Sequence, residues 1–172
     1  MQSQNIVAAI QTAVSEVFST MLGVQVEPCE SRQDATGPRT TEGIMSFVGL
    51  AGTWVGSGLI SCRSSLACRL CSLFLMTEST RVDEEVQDAI GEIANMVIGN
   101  FKTAAESLVG PLTLSIPTTI YGQNFSSKSL GCNEWTVMPF KIEGEMFEVW
   151  VWFAEAANAH APRQGTIHLQ TV

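Results

Sequence analysis

In the segment DAIGEIANMVIGN, Asp88, Glu92, Asn95 and Gly99 fall at i, i+4, i+7 and i+11, a spacing that stacks two carboxylates and a carboxamide along one stripe of an α-helix. A carboxylate can hold a cation or take up a proton. A carboxamide accepts and donates hydrogen bonds without titrating, so it can fix the orientation of a water molecule. At about 100° per residue, Val86, Ile90, Ile93, Val97, Phe101 and Leu108 gather on the opposite side of the same helix, where a core belongs. The polar stripe then faces outward, toward something. Polar residues at helical spacing usually mark only a solvated face. Here, however, asparagine and the glycines Gly91 and Gly99 are poor mid-helix residues, costing up to about 1 kcal/mol each against alanine, so helix stability did not select them. Tight helix-to-sheet packing would explain the glycines but not the Glu-Asn pair.

The elements that must carry this stripe can be read from periodicity. Ile6, Ile10, Ala13, Val14, Val17 and Met21 recur at helical spacing, so residues 4–22 read as an amphipathic helix stopped by Gly23. VQVEPCE reads as a strand and SRQDATGPRTT as a polar loop. EGIMSFVGL and TWVGSGLIS read as a hairpin turning at Ala51 and Gly52. SSLACRLCSLFL reads as a short helix with Leu66, Leu70, Leu73 and Phe74 inward. TESTRVDEE supplies capping hydroxyls and first-turn acids to the long helix, which Gly110 and Pro111 end. LTLSIPTTIYG, EWTVMPFKI and EMFEVWVWF follow as three strands.

A helix followed by three strands thus occurs twice. Ala13-Val14-Ser15-Glu16-Val17-Phe18-Ser19 overlays Ala89-Ile90-Gly91-Glu92-Ile93-Ala94-Asn95 without a gap, and Leu22-Gly23 overlays Ile98-Gly99, an offset of 76 residues (13 onto 89). This is an internal duplication. The expected fold is α+β and two-layered: duplicated helix-plus-three-strand units forming an antiparallel sheet packed by helices. The copies differ where chemistry would reside, because Thr12 stands for Asp88 and Ser19 for Asn95. A serine hydroxyl is shorter than a carboxamide and would hold a water elsewhere, so no activity is expected of Thr12, Glu16 and Ser19.

Composition removes several alternatives. The 172 residues suit one domain, taken as residues 1–153, with a tail over 154–172 that has room for one short strand. Nine basic against 17 acidic residues give a net charge of −8, which repels a phosphate backbone and argues against nucleic acid. The N-terminus lacks the basic and long apolar regions of a secretory signal, and no run approaches a bilayer span, so a soluble cytoplasmic protein without a membrane partner is expected. Five cysteines without an export signal read as reduced thiols. Cys68 and Cys71 form a CxxC, but no second pair or nearby histidine completes a zinc site, so they are assigned to packing and no metal is expected. His160 and His168 lie in the tail and offer little to a triad. In the last strand, Phe147, Val149, Val151 and Phe153 point one way and Trp150 and Trp152 the other. Both faces are apolar, so either another segment of the chain or a second subunit should cover the tryptophans.

Asp88-x3-Glu92-x2-Asn95 in a long helix, within a repeated helix-and-three-strand unit, resembles the CheC/CheX/FliY family of chemotaxis phosphatases over roughly residues 4–153. The family pattern is Asp or Ser, three residues, Glu, two residues, Asn. Some members carry the Glu-x2-Asn pair in both helices; this chain carries it once, like the CheX-like branch. The resemblance implies a phosphatase acting on the aspartyl phosphate of a CheY-type response regulator in two-component signalling, with magnesium held in the partner's site and no cofactor in this chain. It implies that Asn95 orients the attacking water and that Glu92 pairs with the regulator's active-site lysine. From chemistry alone Glu92 could equally act as a general base. Asp88 is expected to touch the partner at the rim, and Gly99 to leave room for its surface. A strand-exchanged homodimer is also implied. The alternative is a catalytically silent module that binds or sequesters the regulator.

Overall fold

The computed structural model describes residues 3–126 and 134–156. Its elements run α1 (Ser3–Met21), β1 (Glu27–Pro28), β2 (Arg32–Asp34), β3 (Arg39–Gly52), β4 (Trp54–Cys62), α2 (Ser64–Leu75), α3 (Glu84–Val109), β5 (Leu112–Leu114), β6 (Thr118–Ser126), β7 (Trp135–Ile142) and β8 (Glu145–Glu155). All pairings are antiparallel, in the order β1-β7-β8-β4-β3-β5, with β2 also on β7 and β6 also on β3. The last strands of the two repeats, β4 and β8, meet at the centre, from Trp54↔Glu155 to Cys62↔Phe147. Each repeat then lends its first strand to the other: β1 and β2 flank β7, while β5 and β6 flank β3. This arrangement is symmetric about the β4–β8 seam, as a duplicated chain requires, and it makes the α+β two-layer fold expected from the sequence.

Both first strands are broken, which periodicity did not reveal. LTLSIPTTIYG divides because Pro117 has no N–H for the ladder; Ser115 bridges the gap, its N–H donating to Gly49 O at 3.0 Å and its hydroxyl accepting from Gly49 N at 2.8 Å. In the first repeat, Pro28 ends β1 after two residues, and Arg32–Asp34, read from sequence as loop, forms the second piece on β7. Its polarity is that of an edge strand facing water.

Alternation along the strands gives the sheet two apolar faces. Ile44, Val48, Ile60, Phe140, Phe147, Val149 and Val151 face the helices and form the main core with Phe18, Ile90, Ile93 and Phe101. On the other face Leu59, Trp135, Val137 and Trp150 form a second cluster, edged by Phe47 and Trp152. Trp135 meets Trp150 edge-on at 6.2 Å, and Arg32 lies 5.3 Å above the Trp150 ring. Trp135 and Trp150 are only 2% and 4% exposed in a single chain, so removing these two from water needs no second subunit, whereas Trp152 is only half-buried. Cys68 and Cys71 are buried as packing residues. Burial pushes the Cys62 thiol up to about 12, leaving it inert as a nucleophile. Leu108 departs from expectation: it is 59% exposed, and Ala105 fills the inward position of the last turns instead. No helix among the described residues is long and apolar enough to cross a membrane. β8 continues to Glu155, past the expected boundary at 153; most of the tail, with His160 and His168, lies outside the described residues.

Candidate functional site

Helix α3 begins where Asp83 accepts a hydrogen bond from Val86 N at 3.1 Å; this carboxylate serves as the cap in place of the hydroxyls expected from TESTRVDEE. Glu84 and Glu85 follow in the first turn, where the helix dipole favours acids. The helix ends at Gly110, at φ +83°, whose N–H donates to Glu106 O. Between these ends Val86, Ile90, Ile93, Val97 and Phe101 are fully buried against the sheet.

This burial turns the other side outward. Asp88 and Glu92 are exposed, while Asn95 and Gly99 are half-buried. One helical turn separates Glu92 from Asn95, a rise of about 4.5 Å at 1.5 Å per residue, so a single approaching group can meet both. Among the described residues, Asp88, Glu92 and Asn95 have no side-chain hydrogen bond or ion pair. Each retains its full bonding capacity for something outside the chain.

A strand glycine makes room for this helix. A Cβ at Gly58 in β4 would lie 2.3 Å from Ile98 Cδ1, so the bare glycine leaves the space that the Ile98 side chain of α3 fills over β4. The helix glycines are different. A Cβ at Gly99 would meet only Leu114 Cδ1, at an ordinary 3.7 Å, and one at Gly91 would meet Thr119 Oγ1 at 3.4 Å. Helix-to-sheet packing therefore does not account for Gly99. Beneath Gly91 lies a polar pair that sequence reasoning missed: buried Ser46, 3.0 Å from Thr119 Oγ1, which in turn lies 3.4 Å from Gln87 O. Ser46 stands at an inward position between Ile44 and Val48, so strand alternation alone could have singled it out.

The matching face of α1 is already occupied. Glu16 Oε2 accepts from Asn100 Nδ2 at 3.3 Å, and Ser19 Oγ donates back to Ser15 O at 2.6 Å. A groove of about 670 Å³ runs beside the α3 stripe, walled by Asp83, Glu84, Glu85, Asp88 and Glu92 and floored by Phe74 and Leu75 of α2. Sequence periodicity gave no sign that the end of α2 would meet the start of α3. Among the described residues, no group of three or more His, Cys, Asp or Glu side chains is arranged to hold a metal ion.

Residues 44–141 match the family model described as chemotaxis phosphatase CheX. The chain is 27% identical over 128 residues to the CheY-P phosphatase CheX of Thermotoga maritima, covering 73% of this chain and 81% of that protein. Among solved structures it is similar to the chemotaxis protein CheX from Vibrio vulnificus, with a TM-score of 0.74 at 23% identity, covering 86% of this chain and 98% of that one. It also resembles the CheX-CheY-BeF3-Mg complex from Borrelia burgdorferi, with a TM-score of 0.67 at 27% identity, covering 86% and 97% of the two chains. With the duplicated fold, the single outward Glu-Asn pair and a family match over more than half its length, this chain belongs to the CheX family.

Proposed function

We propose that this protein stimulates hydrolysis of the aspartyl phosphate on a CheY-type response regulator by placing α3 against the phosphorylated pocket. The observation that carries the reading is the free Glu92-Asn95 pair on the outward face of a helix otherwise locked to its sheet. The Thermotoga relative is named a CheY-P phosphatase, and the Borrelia relative was solved with CheY, BeF3 and Mg. Both support the assignment.

Acyl-phosphate hydrolysis needs a water in line with the leaving oxygen and stabilised charge on the transferring phosphoryl group, so positioning is the main task. In this reading the regulator supplies magnesium and most of the charge stabilisation. Asn95 accepts a hydrogen bond from the attacking water and aims its lone pair at phosphorus. Glu92 pairs with the regulator's lysine and sets the register of the helix. Asp88 contacts the rim, and Gly99 lets the partner's surface come close. A chain that only sequestered the regulator would lengthen the life of its phosphoryl group; this proposal requires that life to shorten. The test is phosphoryl loss from a receiver with magnesium, measured with the wild-type chain and with Asn95→Ala. The variant should lose about 10²- to 10³-fold in stimulated rate, the usual effect of removing one orienting group. Full activity in Asn95→Ala would end the proposal. Association into a homodimer, also implied by the family resemblance, is checked by sedimentation, and a monomer would leave the phosphatase assignment standing.

A further inference from the structure

The groove beside the stripe has two features that helix stability does not explain. Glu84, Asp88 and Glu92 form a like-charged i, i+4, i+8 ladder, an arrangement that weakens a helix. The dipole accounts for acids in the first turn, but its influence fades beyond it, where Asp88 and Glu92 stand. Among the described residues, no basic side chain pairs with Glu84, Glu85, Asp88 or Glu92. Second, the floor is apolar and open at the lip. Leu75 on this floor is 37% exposed. Phe74 packs against the core behind it.

We infer that this groove takes up a surface segment of the phosphorylated receiver in which a lysine or arginine adjoins an apolar side chain, and that it thereby selects which regulator is served. This rests on the function proposed above. Asp88 and Glu92 line both groove and stripe, so whatever seats in the groove lies directly beside the phosphorylated pocket. The acidic wall holds the cation, and Phe74 with Leu75 covers its apolar neighbour. Charged rims of this kind mainly change the rate of encounter, whereas apolar contacts mainly change the rate of escape.

The experiment takes a panel of CheY-type receivers phosphorylated with acetyl phosphate and magnesium, and uses the one hydrolysed fastest as probe. Glu84→Lys/Glu85→Lys should raise KM about tenfold at low salt, with the rate at saturation retained and most of the difference lost at high salt. Glu84→Gln/Glu85→Gln, which perturbs the helix start less, should give a smaller rise in the same direction. Leu75→Ser should raise KM about threefold at both salts. Hydrolysis by the wild type with KM unchanged in every variant would overturn the groove assignment and leave the phosphatase standing. Altered self-association with unchanged KM would mean that a second copy occupies the groove, and would also overturn it. If no receiver is hydrolysed, the proposed function fails and this inference falls with it.

Discussion

Helices α1 and α3 hold corresponding places in the two halves of the sheet, yet their outward faces have opposite fates. On α1, Glu16 is engaged by Asn100 and Ser19 bonds back to its own helix. On α3, Glu92 and Asn95 have no such partner among the described residues. Duplication supplied one scaffold twice, and a few side chains decided which copy keeps unspent hydrogen-bonding groups. A short hydroxyl at helical spacing turns back to the carbonyl four residues earlier. A carboxamide on the same site is longer and stays available.

The sharpest challenge to this contrast is to move the asparagine. Asn95→Ser, which gives α3 the residue of α1, should lose about 10²-fold or more in stimulated dephosphorylation. Ser19→Asn placed in that background should restore nothing, because Glu16 remains tied to Asn100 and the acidic groove flanks only α3. Restored activity would make the two helices interchangeable.

A smaller effect separates the two roles open to Glu92. As an anchor, Glu92→Gln should raise KM roughly 10-fold with the pH dependence of kcat unchanged, since losing one partner of a charged pair at an interface weakens binding. As a general base it should lower kcat instead and flatten its acidic limb. We expect the first result, in steady-state rates measured across pH.

Gly99 sharpens the comparison further, since Gly23 stands at the equivalent place just beyond the end of α1. Its own neighbours leave room for a methyl group, so Gly99→Ala should stabilise the fold by about 0.5–1 kcal/mol in urea unfolding, through the gain in helix propensity. If the glycine serves the partner's approach, the same variant should show a raised KM, a stabilised protein that works less well. Unchanged KM would remove Gly99 from the docking surface.

The smallest expected effect is at the far end of α3, away from the stripe. Glu106 accepts from Leu112 N and Lys102 Nζ, each at 2.9 Å. The backbone hydrogen bond from Leu112 first, with Lys102 second, holds its carboxyl below the usual range. A depressed native pKa means that the stabilisation is present above the unfolded carboxyl pKa and fades as pH falls through the native value. Glu106→Gln should therefore make stability less steep on the acid side, with no change in the rate per bound receiver.

Several features were open to reading from the chain alone because they depend on local spacing. The inward stripes of α1 and α3, the pairing of β3 with β4, the assignment of Cys68 and Cys71 to the core and the split faces of β8 all follow from periods of 3.6 or 2 in side-chain chemistry. The stripe of Asp88, Glu92, Asn95 and Gly99 is visible for the same reason. Met21, read as part of the inward stripe, is instead 50% exposed, with Leu22 buried at the end of α1. The hairpin turns at Thr53, because Ala51 and Gly52 stay in β3 to pair with β5. The broken first strands were hidden, since Pro28 and Pro117 interrupt ladders whose partners are far away in sequence. Leu108 was misplaced because an apolar residue in a final turn is buried only if the sheet still lies beneath it.

The sequence by itself determined that one of two related helices would present an acid and an amide on a single face, because helical geometry fixes which residues share a side whatever surrounds them. Only the tertiary structure decided that Glu16 would be claimed by Asn100, that α2 would bring Phe74 and Leu75 beside the acids of α3, and that Gly58 would leave the space Ile98 fills over β4. Those outcomes depend on contacts between residues distant along the chain. They exist only once the sheet has brought the two repeats together.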